Sequence, residues 1–388
     1  MKIKLLIIGI LLSAVLLCTS CAKKDKSVES AGGEGQQVSQ AEADALFPVQ
    51  KGGKWGYINR EGKIVIKPQF YWADCFSEGL AVVALEEALM SFDAKGNFST
   101  HMNPKGVYSY IDKTGQLITD KRFIYGTAFS EGLAVVSIAN GEKPKLGYID
   151  KTGKVVIDAQ QYYMVHPFAD GLAMVSVGAP KVSKWGYIDK NGKLAVNLKF
   201  GWVLSFSEGL AGVCDGPFGK GKWGFIDKNG KMAVALKYTF AKEFSEGLAA
   251  VRAGKKWGYI DKDGNMKIEA QFDDAEPFSE GLAAILIGDY ETGKWGYIDK
   301  DGNYIIAPQF DEAKPFSEGL AAVRMGSVKE GKWGYVDKTG SYVTRSDFNQ
   351  AEDFKDGLAK VTIRRGKNKN SEYGYIDKTG KYVWEPTN

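Results

Sequence analysis

One nine-residue sequence, Lys-Trp-Gly-Tyr-Ile-Asp-Lys-Asp-Gly at residues 294 to 302, recurs with small changes along nearly the whole chain. Its second position falls at Trp55, Tyr108, Leu146, Trp185, Trp223, Trp257, Trp295, Trp333 and Tyr373. A second motif, Phe-Ser-Glu-Gly-Leu-Ala, alternates with it and begins at Phe76, Phe129, Phe168, Phe206, Phe244, Phe278, Phe316 and Phe354. Self-similarity at a period of about 38 residues indicates supersecondary units that stack on their neighbours.

Within each repeat the residue order predicts short strands and tight turns. Trp295 and Tyr297 occupy alternate positions, so both rings lie on one face of a strand. The intervening Gly296 lets another backbone lie flat against that strand. Asp299 and Gly302 begin and end a turn, since Asp accepts backbone hydrogen bonds and Gly tolerates a positive φ. Each unit is therefore predicted to contain about three short antiparallel strands, in an all-β fold.

Length varies at one place in the repeat, between the Leu-Ala strand and the next Trp strand. Equivalent loops of a stacked array project from one edge, so one edge is predicted to be variable and the other fixed. The longest of these loops runs from Leu85 to Lys105. It is either a recognition loop or a degenerate hairpin, and the hairpin is favoured because Phe92 to Asn97 resembles an eroded Tyr-Ile-Asp-Lys-x-Gly.

These motifs resemble those of the bacterial WG-repeat (KWG-repeat) proteins, over roughly residues 47 to 388. The resemblance implies a β-rich repeat module of the kind found on secreted or envelope proteins, and it brings no catalytic residues. The chain departs from the motif at Tyr108-Ser109 and at Leu146, where the leading Trp is missing. Packing at these two places is expected to be looser, or compensated by other contacts.

The first 45 residues differ from the repeats. Residues 1 to 20 have Lys2 and Lys4 before an apolar stretch too short for a confident membrane span, as in a signal peptide. Thr19-Ser20-Cys21 looks like a lipoprotein signal box, which makes Cys21 the expected lipidation site. Residues 21 to 45 are polar and lack aromatic residues, so they are predicted to form a flexible tether. The roughly 24 residues after the cysteine give a root-mean-square reach of about 25 to 30 Å.

Residues 46 to 388 are predicted to form an array of nine units. Phe47-Pro48-Val49 stands in for a Leu-Ala strand at the start, and Lys381 to Trp384 supplies the last hairpin strand. Each end thus completes a unit, and neither leaves a strand over to close a ring. Nine units also exceed the four to eight blades that are usual for propellers. An open superhelical β-array is therefore predicted, with a closed propeller-like ring as the alternative.

Composition and motifs give no indication of catalysis, metal binding, cofactors or nucleic-acid binding. The net charge of +4 is spread over the repeats and not gathered on one patch. The Asp-Lys-Asp-Gly-Asn runs at Asp261 and Asp299 lack the Gly and Glu positions of an EF-hand, so a hairpin turn is favoured. His101 and His166 are interpreted as incidental surface residues. Cys75 and Cys214 are expected to remain free thiols.

One position changes character along the array. This position lies two residues after the aromatic residue that ends the second predicted strand. It is large and apolar in the first five units, at Trp72, Tyr125, Met164, Trp202 and Phe240. It is polar in the last three units, at Asp274, Glu312 and Gln350. An exposed apolar stripe usually marks a binding surface. The alternative is that the stripe packs against the tether, the long loop or the array itself. If it binds a partner, replacing Trp72 and Trp202 by Ala abolishes binding with little loss of melting temperature.

The sequence therefore favours a lipid-anchored extracytoplasmic binding or scaffold protein. The protein is expected to be a monomer. It would be held in the cell envelope, on the outer membrane if the cell has two membranes, and would present its β surface to a protein or polysaccharide. An envelope hydrolase is the alternative from another class. A structural spacer with no specific surface is the third hypothesis.

Overall fold

The computed structural model describes residues 45–87, 90–92, 98–100, 107–138, 144–178, 182–217, 219–364 and 371–387. The predicted signal peptide, the predicted tether up to residue 44, and His101 lie outside these residues. Ala45, predicted to belong to the tether, is instead buried in a cluster with Phe47 and Tyr375. Within them the chain forms nine antiparallel sheets of three or four strands and one separate hairpin, Met90–Phe92 with Phe98–Thr100. The all-β prediction is confirmed. The hairpin predicted in the long loop is confirmed as well.

The nine sheets are successive blades, and in each the strands follow one another in chain order. The first strands are Trp72–Ala73, Tyr125–Gly126, Met164–Ala169, Trp202–Val203, Phe240–Ser245, Asp274–Ala275, Glu312–Ala313 and Gln350–Ala351. The second strands are Phe47–Lys51, Leu80–Ala84, Ala134–Ile138, Leu172–Val177, Leu210–Cys214, Leu248–Ala253, Ala283–Ile287, Leu320–Met325 and Leu358–Ile363.

The third strands carry the Trp-Gly motif and are Lys54–Ile58, Tyr108–Asp112, Lys145–Ile149, Lys184–Ile188, Trp223–Asp227, Lys256–Ile260, Lys294–Ile298, Lys332–Asp337 and Glu372–Asp377. The fourth strands are Ile64–Phe70, Val155–Asp158, Leu194–Phe200, Met232–Tyr238, Met266–Phe272, Tyr304–Phe310, Tyr342–Phe348 and Tyr382–Thr387. In blade 2 the fourth position has only the isolated bridges of Tyr108 with Phe123 and Ile111 with Leu117.

A complete blade therefore has four strands and not the three predicted. The missed strand begins at the position of Trp72, within the segment of constant length that precedes the Phe-Ser-Glu-Gly motif. In blades 4 and 6 the strand is longer and contains a register shift. Most of these strands pair over only two residues, as Trp72 with Ala84 and Ala73 with Val83. So short a pairing leaves too little alternation for the sequence to indicate a strand.

Adjacent blades are joined by a repeated hydrogen bond from the buried tyrosine of the third strand. The hydroxyl of Tyr297 donates to the carbonyl of Lys314 in the next blade at 2.7 Å, and six other blades have the same bond. The repeated Trp side chains are largely buried as well: Trp223 is fully buried, and Trp185, Trp257, Trp295 and Trp333 are at most 8% exposed. These rings therefore belong to the core of the propeller.

The same contacts join the last blade to the first. The Tyr375 hydroxyl donates to the Pro48 carbonyl at 3.0 Å, and Tyr375 packs against Phe47. Trp55 stacks on Tyr373 with ring centroids 5.6 Å apart and planes at 14°. Residues of both ends share one buried cluster, which includes Val49, Ile58 and Leu358. The molecule is a closed nine-bladed β-propeller.

The open superhelical array predicted from the sequence is therefore wrong, and its closed alternative is confirmed. The prediction assumed that a ring must be closed by one sheet that takes strands from both termini. Here blade 1 is built from the amino-terminal end and blade 9 from the carboxy-terminal end. Closure needs only the sheet-to-sheet packing that every other pair of neighbouring blades already uses.

Candidate functional site

The strand directions give the propeller two different faces. The loop face holds the variable loops between second and third strands, together with the links that lead into each first strand, most of which are one residue long. The turn face holds the Ser-Glu-Gly and Asp-Lys-x-Gly turns. The position that changes character along the array opens each first strand, so Trp72 and its equivalents all lie at the loop face.

Two of the five apolar residues at this position are exposed. Trp72 is 39% exposed and its ring meets Tyr108 edge-on at 6.0 Å, while Tyr125 in the next blade is 49% exposed. Sequence reasoning missed two neighbours at the preceding position, Tyr71 at 42% and Tyr163 at 53% exposure. We call Tyr71, Trp72, Tyr125 and Tyr163 the aromatic arc. It lies on blades 2 to 4 of the loop face.

The other three apolar residues, Met164, Trp202 and Phe240, are partly buried between blades. Trp202 packs against the cores of blades 4 and 5, with its ring 5.3 Å from that of Trp185. Phe240 lies between Trp223 at 5.3 Å and Trp257 at 5.8 Å. The five residues thus share a face, but only the first two present much of their rings to solvent. Trp202 has a structural role that would confound its use as a binding probe.

The polar half of the loop face is built on charge pairs. Glu312 binds the Nη2 atom of the buried Arg324 at 2.9 Å, and Lys294 binds Asp311 at 2.8 Å. In blade 6 the Lys242 ammonium lies 5.2 Å from the Trp257 ring and binds Glu276 at 2.8 Å. The Trp257 ring thus lies against both the Lys242 ammonium and the Phe240 ring. The loop face therefore has an aromatic part and a charge-paired part, and the latter includes one exposed ring, that of Tyr290 in the variable loop of blade 7.

The turn face is a ring of repeated ion pairs. The carboxylates of seven turn residues in blades 2 to 8 accept from the glycine N–H of the next blade's turn, as Glu280 does from Gly319 at 2.9 Å. The lysine of that next blade's Asp-Lys-x-Gly turn completes the contact, as in Lys338 to Glu280 at 3.5 Å. Seven such pairs join blades 2 to 9: Glu78–Lys151, Glu131–Lys190, Asp170–Lys228, Glu208–Lys262, Glu246–Lys300, Glu280–Lys338 and Glu318–Lys378. These carboxylates hold the blades together.

The Asp-Lys-x-Gly sequences are hairpin turns, as predicted. The Asp261 carboxylate accepts from the backbone N–H groups of Asp263 and Asn265 at 3.1 and 2.9 Å. These hydrogen bonds lower the pKa of Asp261. Among the residues that the structure describes, no group of three or more His, Cys, Asp or Glu side chains is arranged to hold a metal ion. Nor does this part of the chain contain a helix long and apolar enough to cross a membrane.

His166 is not the incidental surface residue that the sequence suggested. It lies in a first strand, partly buried, with its ring 5.6 Å from that of Trp185, and burial lowers its pKa. It is therefore neutral at pH 7 and acts as a packing group in the blade 4 interface. Cys75 and Cys214 are both free, as predicted.

Comparison with known proteins identifies the repeat. Eight segments match a family model described as a WG containing repeat: residues 55–87, 108–141, 147–179, 185–216, 223–257, 257–290, 295–328 and 333–367. Together they cover more than half of the chain. No curated protein matches the sequence.

Two solved structures resemble this chain at low sequence identity. A eukaryotic initiation factor is 13% identical with a TM-score of 0.60, over 88% of this chain and 95% of that one. BamB from Moraxella catarrhalis is 10% identical with a TM-score of 0.38, over 86% of this chain and 92% of that one. At such identities the first likeness shows a common fold and no common activity.

Proposed function

Since the chain belongs to the family of proteins built from WG-containing repeats, we propose that it is a non-catalytic binding or scaffold protein whose loop face docks a protein or polysaccharide partner. The observation that carries this proposal is the aromatic arc. Four aromatic side chains, each 39% exposed or more, lie on three neighbouring blades of the face that also carries the variable loops. Aromatic anchors of this kind dominate binding energy at protein interfaces, and they also stack on flat ligand faces.

The arc takes only a small part in the packing of the propeller: the Lys54 ammonium lies over the Tyr71 ring, and the Trp72 ring meets that of Tyr108 edge-on. The repeated Trp, Tyr, Glu and Lys side chains are engaged in blade packing or in the ring of ion pairs. A role in binding explains why large rings stand exposed in blades 2 to 4, where blades 7 to 9 have Asp274, Glu312 and Gln350. The engagement of the repeated carboxylates in structure also supports a non-catalytic role over that of an envelope hydrolase.

Replacing Trp72 and Tyr125 together by Ala tests the arc. The change removes two exposed rings, so partner binding should fall at least about 100-fold, since a hot-spot residue contributes 2 kcal/mol or more. The melting temperature should fall by no more than a few degrees. Tyr304→Ala is the matched control, because Tyr304 is 50% exposed but lies on a fourth strand. Binding is measured by titrating an immobilised chain with partners found in a screen of envelope proteins and polysaccharides.

Equal binding by the double variant and the wild type would place the site elsewhere. Failure of the intact chain to bind anything in the screen favours the structural-spacer hypothesis, and turnover by a pure preparation in a broad hydrolase panel favours the enzyme. Trp202→Ala should differ from the arc variant by losing stability, because its ring is packed between two blade cores.

We further propose that Cys21 carries lipid and anchors the propeller outside the cytoplasm, as a monomer on a tether of residues 22 to 44. The signal box at Thr19-Ser20-Cys21 supports this proposal. Cys21→Ala should release the protein from the membrane fraction and abolish incorporation of labelled fatty acid. The control Cys18→Ala should leave both unchanged, because Cys18 lies in the segment removed on processing. Membrane association of Cys21→Ala equal to that of the wild type would contradict the anchor.

A further inference from the structure

Charge is unevenly distributed over the loop face. Four equivalent positions surround the loop-face end of each blade: the residue before the Trp position, the residue before the fixed aromatic ring that follows it (Phe70 in blade 1), and the two residues after that ring. In blades 1 to 5 these positions hold seven cations and no carboxylate: Lys54, Arg122, Lys145, Lys184, Lys199, Lys222 and Lys237. In blades 6 to 8 they hold three cations and five carboxylates: Lys256, Lys294, Lys332, Asp273, Asp274, Asp311, Glu312 and Asp347.

The difference arises mainly at the residue that faces the lysine of the Lys-Trp-Gly motif. In blade 7 the Lys294 ammonium binds the Asp311 carboxylate at 2.8 Å, and blade 6 has the equivalent pair at the same distance. In blade 1 the corresponding residues are Lys54 and Tyr71, and the ammonium lies 2.9 Å from the ring centroid. The lysine thus reaches the same neighbour in all three blades, but that neighbour is acidic only in blades 6 and 7.

Blades 3, 4 and 5 follow the pattern of blade 1. The residues that take the place of Tyr71 there are Tyr163, Gly201 and Thr239, and none of them carries a negative charge. The position before the fixed ring adds an exposed cation in blades 2, 4 and 5, where blades 6 and 7 have glutamine. The loop face of blades 1 to 5 therefore has a positive potential, and the aromatic arc lies within it.

The variable loops change this balance only a little. Glu86 pairs with Arg122 at 3.5 Å, so one of the seven cations is partly neutralised. In blades 1 to 5 the described residues between the second strand and the Trp position add two cations and three carboxylates, which leaves a clear excess of positive charge: Lys51, Lys220, Glu86, Glu87 and Asp215.

We propose that the aromatic arc and these seven cations bind an acidic polysaccharide. This inference rests on the binding role proposed for the loop face, and it narrows the ligand. The exposed rings stack on the flat faces of the sugars, and the ammonium groups bind the carboxylate or sulfate groups that the sugars carry. Tyr71 shows both features at one point, since its exposed ring lies beside the Lys54 ammonium.

The composition of this surface favours a polysaccharide over an acidic protein. The cores of protein interfaces are enriched in aromatic residues, Met and Arg but depleted in Lys, whereas six of the seven cations here are lysines. Among the described large apolar side chains exposed on this part of the loop face, only Val182 is aliphatic. Rings on three blades with so few aliphatic neighbours offer separate stacking platforms, and not the single desolvated centre of a protein interface.

Binding of soluble polymers to the purified full-length chain tests the class of ligand. Polygalacturonate and chondroitin sulfate are the acidic probes, and methyl-esterified polygalacturonate is the uncharged control with the same sugar backbone. At about 50 mM salt at least one acidic polymer should bind at least about 10-fold more tightly than the ester, and about 0.5 M salt should remove most of this difference. Equal binding of the ester, or binding of neither acidic polymer, overturns the inference.

Two further probes represent other anionic ligands. Poly-L-glutamate stands for an acidic protein segment, and vesicles with about 30% phosphatidylglycerol stand for an anionic lipid surface. A preference for either probe over both acidic polysaccharides overturns the inference in favour of that ligand.

Matched pairs of lysine substitutions test the surface itself. Lys145→Gln with Lys184→Gln should weaken binding of the acidic polysaccharide about 2- to 30-fold at low salt, because two exposed charge contacts are lost. Lys256→Gln with Lys294→Gln is the control, since it removes the same charge at equivalent positions where each lysine already binds an aspartate. The control should change the affinity less than about 2-fold. Equal losses in the two variants overturn the inference.

The arc variant separates failure of this inference from failure of the proposed function. If a neutral polysaccharide or a protein binds the wild type but not the Trp72 and Tyr125 double variant, the loop face is a binding surface whose ligand the lysines do not select. If the double variant binds the acidic polysaccharide as tightly as the wild type does, the arc takes no part in binding and both proposals fail.

Discussion

At the residue scale, the glutamate of the Ser-Glu-Gly turn shows how a local cost is offset by the neighbouring blade. All eight acidic turn residues have φ between 51° and 55°, a conformation that is unfavourable for a residue with a side chain. With the following glycine also at positive φ, the turn is of type I′, which matches the twist of a tight hairpin. Asn or Gly would fit this position more easily. Glu is used because its carboxylate reaches the next blade.

The sequence predicted the positive φ of the turn glycines but not that of the preceding acidic residue. Nothing in the local pattern distinguishes a glutamate facing solvent from one that binds a glycine N–H about 39 residues later, as Glu280 binds Gly319. The information lies in the contact between blades, which requires the closed geometry. The recurrence of both motifs in successive repeats was the available signal, since it gives one acidic turn residue and one turn lysine to each of blades 2 to 9.

The buried tyrosine hydroxyl gives a prediction with a natural control. Tyr297→Phe should destabilise the protein by about 1 kcal/mol, because the Lys314 carbonyl loses its 2.7 Å hydrogen bond. Burial raises the pKa of Tyr297, so the hydroxyl stays protonated and able to donate at pH 7. Blade 5 has Phe225 at this position, and Phe225→Tyr should stabilise by up to about 1 kcal/mol by bonding to Lys242.

Both changes are measured by chemical denaturation. A Tyr297→Phe variant as stable as the wild type would show that this inter-blade bond contributes nothing net. In that case the Phe225→Tyr variant should also be no more stable than the wild type.

At the element scale, the Trp-Gly strand is defined by the backbone that crosses it. A Cβ on Gly296 would lie 2.5 Å from the Ile306 carbonyl oxygen, and one on Gly56 would lie 2.4 Å from that of Ile66. The fourth strand thus lies against the glycine, as the sequence predicted. The fourth strand also bulges opposite the glycine. Trp295 pairs with Phe310 and Tyr297 pairs with Ile306, so a step of two residues in the third strand faces a step of four residues in the fourth strand.

Blade 2 shows what happens when the glycine is replaced. Ser109 is fully buried, and its hydroxyl donates to the Lys121 carbonyl at 3.2 Å. The fourth position of this blade is reduced to isolated bridges, because a side chain occupies the space that the strand backbone would take. The expected compensation is therefore present, at the cost of a regular strand. The sequence showed that the packing of blade 2 would be irregular, but it did not indicate that the fourth strand would be the one to lose its regular pairing.

Two glycine substitutions separate steric overlap from backbone strain. Gly296→Ala should cost about 3 kcal/mol or more, because the new Cβ meets the rigid backbone of the fourth strand. Gly319→Ala should cost only about 1 to 2 kcal/mol, since φ is +87° there but no atom lies within 4 Å of the added Cβ. Free energies of unfolding are compared in urea. Equal losses would contradict the steric role of the Trp-Gly pair.

At the scale of the whole molecule, repeat count and composition did not determine closure. Period, strand positions and the variable edge were all readable from the sequence, because each depends on neighbours close in the chain. Closure depends on the small rotation between successive blades, which accumulates over nine units and leaves no trace in any one of them. The contacts of Trp55 with Tyr373 and of Tyr375 with Pro48 therefore could not be predicted.

The aromatic arc illustrates the same limit for the candidate site. The sequence identified the column that contains Trp72 and Tyr125, since its chemistry changes along an otherwise regular array. It could not separate these exposed rings from the partly buried Trp202 and Phe240. It also missed Tyr71 and Tyr163, whose neighbours at the same position, such as Gly201 and Thr239, share no chemistry with them.

The most direct test of the closed propeller is the distance between its first and last blades. Lys63 and Lys381 are exposed and follow equivalent turns in blades 1 and 9, where Gly62 lies against the Val383 backbone. With Cys18, Cys21, Cys75 and Cys214 replaced by Ser, spin labels at cysteines introduced at these two positions should lie less than about 30 Å apart by pulsed electron resonance. An open array of nine sheets spaced roughly 10 Å apart would separate them by about 80 Å, and that distance would contradict the ring.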